Sequence, residues 1–319
     1  MSDLTSYIRP MQDDDVDNMP MVSYSRLDML KQCPYRYFLQ YHKYLYPKGT
    51  ALALEVGSLC HAILEERGDA LAEKRTPLSL EDTKKKFESQ YLTIQSKFWE
   101  DWTKTDKSGM DYNQKFARFW EYLPISLVDD RWHVGLCEHE FYFVFNNQVI
   151  IKGFIDRIDF DDDGEIKVTD YKTANHIYST DELNYSPQFF IYALAVLNEY
   201  GKLPIECEYD FVFLNKKAKA LNCIGWEKKC LNQLQSIVHT MFTLKETRRF
   251  TPSPSPLCYY CPYASTNPKG DADTKNICDY YALWTPTDRK NFRVKDKYNK
   301  DSFDAEEAYK KHEKLQLVW

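Results

Sequence analysis

Several patterns that define other protein classes are missing from this sequence. It has no uncharged apolar run of about 18 residues and no basic N-terminal segment followed by an apolar one, which are the patterns of a membrane span and a secretory signal. Glycine is scarce, with 10 residues in 319, which excludes collagen-like and glycine-rich repeat proteins. The Gly-x4-Gly-Lys loop of ATP-driven motors is also missing. We expect an intracellular, cytoplasmic protein.

The sequence also lacks an excess of basic residues. It contains 42 Lys and Arg against 48 Asp and Glu, a net charge of −6, whereas a nucleic-acid-binding domain is often strongly basic. A local groove can nevertheless bind phosphate, above all where metal ions supply positive charge. The nine cysteines are an odd number in a chain without a secretory signal. This favours reduced thiols or metal ligands over a disulfide framework.

Composition divides the chain into three parts. Residues 1–22 are polar, aperiodic and acidic, which predicts a flexible tail. With 43% hydrophobic and 15% aromatic residues, the chain can form a sizeable core, and we assign that core to a single domain over residues 23–285. Residues 286–319 are interpreted as a charged C-terminal tail.

Hydrophobic periodicity gives a coarse order of helices and strands. A helix from about Glu55 to Lys74 places Gly57, His61 and Glu65 on one face. Residues 78–128 are predicted to be helical. Strands are predicted between about 133 and 171, and again at 206–214 and 221–226. The Ser186 cap and the proline after it open a helix that continues to about residue 200. This order predicts an α/β fold.

One predicted hairpin brings two carboxylates together. Phe160 and Ile166 flank a five-residue polar loop, and antiparallel pairing in that register sets Asp156 opposite Asp170. Lys172 lies on the same face of its strand as Asp170. Two neighbouring carboxylates suit Mg²⁺ or Mn²⁺, and an adjacent ammonium can steer a phosphate. The hairpin therefore suits phosphodiester hydrolysis, although charges scattered on a surface hairpin are the alternative.

Four ordered motifs resemble those of the PD-(D/E)XK nuclease superfamily, in particular the RecB-type and AddB-type nucleases and the iron–sulfur nucleases of CRISPR adaptation. The resemblance covers most of residues 23–285. The motifs are Gly57-Ser58-Leu59-Cys60-His61 with Glu65, Gly153-Phe154-Ile155-Asp156-Arg157-Ile158-Asp159, Asp170-Tyr171-Lys172-Thr173, and Gln188-x3-Tyr192.

The resemblance implies a restriction-endonuclease-like core, in which a central mixed β-sheet of about five strands is flanked by helices and residues 78–128 form a helical insertion beside the active site. It implies magnesium or manganese bound by His61, Asp156, Asp170 and the backbone carbonyl of Tyr171, with Lys172 as the catalytic lysine.

It also implies that Gln188 and Tyr192 contact DNA and the active site. From the residues alone, His61 could instead be a hydrogen-bonded helix histidine, Gln188 and Tyr192 could support the core, and Glu65 could orient His61 or face water.

The implied substrate is DNA, with single-stranded or frayed ends cleaved by an exonuclease in recombination, repair or DNA processing. A helicase or recombination protein is an expected partner, and no membrane is involved. The residues alone leave RNA open. Two other functions compete with this one: a non-catalytic DNA-binding or scaffold subunit of a helicase–nuclease complex, and a zinc-stabilised interaction module.

Four of the cysteines are candidates for a second metal site. Cys258-x2-Cys261 is a chelating pair, and Cys33 stands where the resembling iron–sulfur nucleases place their first ligand. With Cys278 they are expected to hold a 4Fe-4S cluster that clasps the N- and C-terminal parts together. The family usually has a much shorter spacing before the fourth ligand, so residues 262–277 would be a looped insertion. Four-thiolate zinc and free thiols are the alternatives.

The remaining cysteines fall inside predicted helices and strands, where they are expected to be core thiols. They are Cys60, Cys137, Cys207, Cys223 and Cys230.

Overall fold

The computed structural model describes residues 4–47, 51–220, 226–264 and 277–278. Among the described residues, those within 1–24 and 51–234 form one compact unit, and those within 25–50 and 235–319 form another. The predicted C-terminal tail and Cys223 lie outside the described residues. Among the described helices, none has the length and apolar character needed to cross a bilayer.

Along the described chain, helices and strands occur in blocks, with six described helices in succession followed by three strands in succession. The strands are β1 (Ile8–Pro10), β2 (Met21–Ser23), β3 (His133–Phe145), β4 (Val149–Phe160), β5 (Ile166–Lys172), β6 (Glu206–Phe211) and β7 (Lys216–Ala220). The helices are α1 (Asp13–Asn18), α2 (Tyr24–Gln32), α3 (Pro34–Tyr41), α4 (Leu52–Ala72), α5 (Leu80–Lys97), α6 (Trp99–Trp102), α7 (Tyr112–Ser126), α8 (Thr180–Asn184), α9 (Pro187–Tyr200) and α10 (Trp226–Thr247).

A mixed sheet forms the centre of the first unit, as predicted. Its order is β1-β3-β4-β5-β6-β7, with β2 also paired to β4. The β5–β6 and β2–β4 pairs are parallel and the others antiparallel. Helices cover both faces: Tyr209 of β6 packs on Phe189 of α9, with ring centroids 4.2 Å apart, whereas Asp210, the next residue, accepts a hydrogen bond from Tyr122 of α7.

The N-terminal segment differs from the predicted flexible tail. β1 pairs with residues 143–145 of β3, and β2 pairs with residues 150–152 of β4. The partner residues Phe143 of β3 and Ile151 of β4 are fully buried. The N-terminal segment therefore pairs with strands that belong to the core. Its acidic residues lie mainly in α1, where three aspartates occupy the first turn and favour the positive end of the helix dipole. The prediction of a tail is wrong, and the sheet has seven described strands instead of about five.

The region predicted to be helical at 78–128 consists of α5, α6 and α7. Ser79 and Asp111 cap α5 and α7 through their side chains. Trp102 and Phe116 are buried in a cluster with residues of α4 and with Tyr171 of β5. The region is therefore helical, as predicted, and it packs on the face of the sheet opposite α9.

One connection and one predicted strand bear on the register of the sheet. Asn146 and Asn147 both adopt positive φ, at 53° and 51°, in the tight turn that joins β3 to β4, a conformation that asparagine tolerates. The strand predicted at 221–226 is not confirmed. Residues 221–225 lie outside the described residues, Trp226 begins α10, and the strand that follows β6 is β7 at Lys216–Ala220.

The second unit joins segments that are far apart in sequence. Phe250 packs against Phe38 of α3 and His42, with ring centroids 5.0 Å apart in both pairs. Tyr263 donates a hydrogen bond from its hydroxyl group to the carbonyl oxygen of Leu45. The segment that follows α10 therefore packs on α3 and on the residues after it.

Candidate active site

His61 is the contribution of helix α4 to the site. Val56, Leu59, Cys60 and Ile63 of α4 are fully buried, and this fixes the helix so that His61 reaches the sheet. Its Nε2 lies 3.2 Å from the carbonyl oxygen of Tyr171.

The carboxylates of Glu138 and Asp156 lie on the other side of the ring. His61 Nδ1 is 3.3 Å from Glu138 Oε1 and 3.6 Å from Asp156 Oδ1. His61 is thus surrounded by oxygen atoms of the sheet, which favours a role in the site over that of an ordinary helix histidine.

Asp156 and Asp170 are placed by the hairpin register that the sequence predicts. Phe160 pairs with Ile166, and the ladder runs to the pair of Arg157 and Thr169. One residue further, the strands separate at Asp156 and Asp170. Asp156 Oδ2 there accepts a hydrogen bond from the backbone N–H of Tyr171, with an N···O distance of 2.6 Å.

Glu138 is a site residue that the sequence analysis missed. Its φ is +43°, which is rare for a residue other than glycine inside a strand. The residues on either side of Glu138 contact different helices. Cys137 lies against α4, so close that a Cβ added at Gly68 would be 2.3 Å from Cys137 Sγ. His139 contacts α9, with its Nε2 2.8 Å from Glu199. Neighbours of Glu138 that would share a face in a regular strand therefore face opposite helices. Regular alternation gives no signal for such a residue.

Asp170 is held by a second cluster, which includes α9. Lys172 Nζ lies 2.6 Å from Asp170 Oδ2 and donates to Gln188 Oε1 at 3.2 Å. Gln188 Nε2 donates to Asp170 Oδ1 and to the Tyr192 hydroxyl, both at 2.8 Å. Ser186 caps α9 through the N–H of Phe189, which sets Gln188 in the first turn. Gln188 and Tyr192 therefore contact the catalytic candidates directly.

The charges of the site shift the pKa values of its groups. Burial lowers the pKa of His61, but its hydrogen bond to Glu138 and the charges of Asp156, Asp170 and Glu138 outweigh burial and raise the pKa to about 9. Burial and the charge of Asp170 raise the pKa of Asp156 to about 7, against the opposing effects of His61 and the Tyr171 N–H. Two like charges are thus kept close together, which is costly unless a cation joins them.

Lys172 is a cation in this arrangement. Burial lowers its pKa, but the charge of Asp170 and the hydrogen bond to it raise the pKa above the ordinary value overall. Burial, followed by the charges of Asp170 and Asp156, raises the pKa of the Tyr192 hydroxyl. Lys172 and Tyr192 are therefore hydrogen-bond donors at neutral pH.

The donor set fits a divalent cation. Ligand atoms of His61, Glu138 and Asp156 all lie within 4.8 Å of one another, and the carbonyl of Tyr171 is adjacent. Carboxylate and carbonyl oxygens suit Mg²⁺ and Mn²⁺, and an imidazole is an acceptable ligand of Mn²⁺. His61 must lose its proton to bind a metal. Glu65 lines the same pocket as His61 and Glu138.

A layer of buried charged residues lies behind the site, on the α7 face of the sheet. Arg157 donates to the Tyr171 hydroxyl at 3.0 Å, and its Nε is 3.0 Å from Asp159 Oδ1. Lys167 Nζ is 3.2 Å from Asp159 Oδ2. Asp210 is fully buried nearby. The side chain of Tyr171 is thus held by this buried ionic layer, while its backbone contacts Asp156 and His61.

The second unit gathers the four cysteines predicted as cluster ligands. Cys33, Cys258, Cys261 and Cys278 line one pocket. Cys33 Sγ accepts hydrogen bonds from the backbone N–H groups of Arg36 and Ser253, both at 3.5 Å. The Ser255 N–H donates to Cys258 Sγ at 3.4 Å.

Burial and backbone contacts define the surroundings of two of these cysteines, Cys258 and Cys278. Burial raises the pKa of the Cys258 thiol to about 11. Cys278 is brought to the pocket by a bridge to Ala264, with its N–H donating to the Tyr263 carbonyl at 2.8 Å.

The remaining described cysteines are placed much as predicted. Cys60, Cys207 and Cys230 are buried in the core, and Cys137 is half-buried between β3 and α4. These positions agree with the expectation of core thiols.

Comparison with known families agrees with this geometry. A family model described as the PD-(D/E)XK nuclease superfamily matches residues 21–266, well over half of the chain. The match includes His61, the β4–β5 hairpin and α9, and it ends before Cys278. No curated protein sequence matches the chain at a significant level. The chain belongs to the PD-(D/E)XK nuclease superfamily.

Proposed function

We propose that this protein is a Mg²⁺- or Mn²⁺-dependent deoxyribonuclease similar to the RecB-type and AddB-type nucleases and to the iron–sulfur nucleases of CRISPR adaptation. In this proposal it acts as an exonuclease on single-stranded or frayed DNA ends in recombination, repair or DNA processing. Its superfamily implies a metal-dependent nuclease with a DNA substrate. The observation that carries the proposal is the group of His61, Glu138 and Asp156, with ligand atoms within 4.8 Å of one another, next to the Asp170–Lys172 ion pair.

In this proposal the described side chains divide the work. His61, Glu138, Asp156, Asp170 and the Tyr171 carbonyl would hold one or two divalent cations, which supply charge to the phosphate and lower the pKa of a bound water. The Lys172 ammonium donates hydrogen bonds to the attacking water or to a phosphate oxygen. Gln188 bridges Asp170 and Lys172 and so fixes the direction of that ammonium.

The test is a cleavage assay with end-labelled single-stranded DNA, double-stranded DNA and RNA, with and without Mn²⁺. We expect metal-dependent cleavage of single-stranded DNA that is lost in Asp170→Ala and Lys172→Ala while circular dichroism stays unchanged. Labels at the 5′ or 3′ end reveal polarity and distinguish exonuclease from endonuclease action. Full activity of both variants, in preparations free of contaminating nuclease, would overturn the assignment.

We further propose that Cys33, Cys258, Cys261 and Cys278 hold a 4Fe-4S cluster. Four thiols share one pocket, and backbone N–H groups donate to the sulfur atoms of Cys33 and Cys258, contacts that tune the potentials of such clusters. Anaerobic purification with iron, sulfide and zinc analysis tests this. About four iron and four sulfide per chain are expected. Stoichiometric zinc without iron would support a four-thiolate zinc site instead.

A non-catalytic scaffold subunit of a helicase complex fits the site less well. A scaffold has no need to keep Asp156 buried beside Asp170, since burial and the charge of Asp170 both raise the pKa of Asp156 and so disfavour its ionised form. A zinc-stabilised interaction module would leave the same carboxylates unexplained. The cleavage assay and the metal analysis together distinguish these functions, because each predicts a different combination of results.

A further inference from the structure

Two large apolar side chains lie exposed at the pocket that contains the candidate metal ligands. Leu54 of α4 is 66% exposed and Phe154 of β4 is 51% exposed. Both line the same pocket as His61 and Glu138. An apolar wall next to candidate ligands of a divalent cation suits a substrate that is partly charged and partly apolar, such as a nucleotide, whose phosphate would meet the cation.

The positions of these side chains follow from the geometry of their elements. Phe154 precedes Asp156 by two residues, so their Cα atoms are about 7 Å apart along the strand. Leu54 precedes His61 by seven residues, two turns on the same side of α4 and about 10 Å along its axis. Both apolar groups are thus about one nucleotide away from the proposed position of the scissile phosphate.

The charges around Phe154 indicate which part of a nucleotide it would meet. Glu140 of β3 pairs directly with Phe154, and Tyr142 pairs with Lys152. The Tyr142 hydroxyl donates a hydrogen bond to the Glu140 carboxylate, which holds that negative charge beside the ring. A phosphate would be repelled there, whereas an uncharged base would not. Lys152 is exposed and lies on the same face as Phe154, two residues further from Asp156.

We propose that Phe154, supported by Leu54, is a stacking platform for one unpaired base next to the scissile phosphate, and that Lys152 contacts a neighbouring phosphate. This inference rests on the proposed nuclease function and defines its substrate as single-stranded DNA. A base within a duplex is stacked and paired on its own neighbours, so its face is not available to the ring. An unpaired base offers that face to an aromatic side chain.

Binding and cleavage of three 5′-labelled substrates test the platform. They are a single-stranded oligonucleotide, the same oligonucleotide with abasic residues at its ends, and a blunt duplex. We expect Phe154→Ala to lower kcat/KM for the single strand roughly 5- to 150-fold, which corresponds to the loss of one base stack. The change should come from a higher KM more than from a lower kcat. The abasic strand should be affected little. Phe154→Trp should keep the wild-type preference for the single strand over the abasic strand.

Two further variants separate stacking from other effects. Leu92→Ala, in α5, removes an apolar side chain of similar exposure, 49%, outside the pocket, and should change nothing. Lys152→Ala should reduce the salt dependence of single-strand binding by roughly 0.7 in the slope of log K against log salt.

The outcome can be read independently of catalysis. Anisotropy binding in the Asp170→Ala background, without cleavage, compares the single strand with the abasic strand. The platform would be overturned if the single strand and the abasic strand bound equally well, both to the protein with Phe154 and to the protein with Phe154→Ala. If the wild type binds with the expected preference but cleaves nothing, the nuclease function fails while the platform stands.

Discussion

Asp210 is a carboxyl group in the interior of the sheet. It is fully buried, Tyr122 donates to its Oδ1 at 3.1 Å, and its Oδ2 has no hydrogen-bond partner among the described residues. Burial raises its pKa to about 6, although Lys217, Arg157 and the Tyr122 hydrogen bond oppose this. The folded protein therefore holds a proton on Asp210 between about pH 4 and pH 6 that the unfolded chain has released.

This shift predicts a pH-dependent effect of Asp210→Asn. A raised carboxyl pKa makes the folded state less stable, relative to the unfolded chain, as pH rises from about 4 to 6. Asn removes this ionisation and keeps an acceptor for Tyr122. We expect the variant to show a flatter dependence of the free energy of unfolding between pH 4 and pH 7, measured by urea titration in EDTA. Asp163→Asn, in the exposed hairpin loop, is the control. Parallel curves for wild type and Asp210→Asn would contradict this reading.

Gln188 gives the second prediction at this scale. Its side chain bridges Asp170 and Lys172 without being a proposed metal ligand. Loss of hydrogen bonds to charged groups costs about 1.5–3 kcal/mol, so Gln188→Ala should lower kcat roughly 10- to 150-fold. Calorimetric Mn²⁺ affinity should change little. Tyr192→Phe should act in the same direction more weakly, because only one hydroxyl group is lost.

Gln90→Ala, on the exposed side of α5, serves as the matched control and should leave both quantities unchanged. If Gln188→Ala loses Mn²⁺ affinity as completely as Asp156→Ala does, then Gln188 supports the metal ligands and not the lysine.

Residues of the site differ in how far the sequence reveals them. Asp156, Asp170 and Lys172 follow from one local hairpin, whose register depends only on the loop between its strands. Glu138 depends on a single backbone torsion in β3. The torsion accompanies contacts of Cys137 and His139 with helices on opposite faces of the strand, and the regular alternation of side chains does not encode it.

Among the elements, the N-terminal segment shows where composition misleads. Its charge predicts a tail, yet three of its acidic residues occupy the first turn of α1, and Asp15 is bound by Arg9 at 2.7 Å. The strands of this segment that pair with β3 and β4 have only three residues each. Their apolar residues are too few to give a strand signal in the sequence. They become strands only because neighbouring strands offer unpaired backbone groups, which is tertiary information.

Deletion of residues 1–23 is the corresponding prediction. It removes β1 and β2, uncovers the backbone of β3 and exposes residues such as Ile151 that are now buried. We expect a melting temperature lower by about 5 °C or more and aggregation through the uncovered edge. The double variant Asp13→Asn, Asp14→Asn removes exposed charge but keeps both strands and should melt close to wild type. Unchanged melting of the truncated protein would show that the segment contributes no stability.

The helices of residues 78–128 and helix α9 have signals that are local in the sequence. Their apolar stripes and caps lie within a few residues of sequence, as at Ser79, Asp111 and Ser186. Such signals need no information from distant parts of the chain.

At the scale of the whole molecule, the chain leaves and re-enters its second unit. That unit combines residues 25–50 with residues 235–319, and the four cysteines belong to it. Sequence periodicity cannot show that Cys33 and Cys278 share a pocket, because the separation between them spans almost the whole first unit. Only the resemblance to iron–sulfur nucleases suggested the pairing.

A cross-link between these segments should be worth a large part of the stability of the protein. Closing the long loop between Cys33 and Cys278 contributes roughly 5 kcal/mol to the free energy of unfolding on the chain-entropy model. The total free energy of unfolding is about 5–15 kcal/mol for many domains. Cys33→Ala should therefore give a colourless, poorly soluble protein without nuclease activity. Cys230→Ala, which removes a buried thiol of α10, should retain colour and iron. Full iron content and normal solubility of Cys33→Ala would refute the role of Cys33 as a ligand.

Tyr171 has a consequence for protein engineering. Replacing buried ion pairs with apolar residues is a common route to greater stability, and the layer around Arg157 would be an obvious target. Here the hydroxyl of Tyr171 is anchored in that layer, while its carbonyl oxygen and N–H contact His61 and Asp156. Repacking the layer would release the residue that aligns two candidate ligands, so a more heat-resistant enzyme selected this way should also be a slower one.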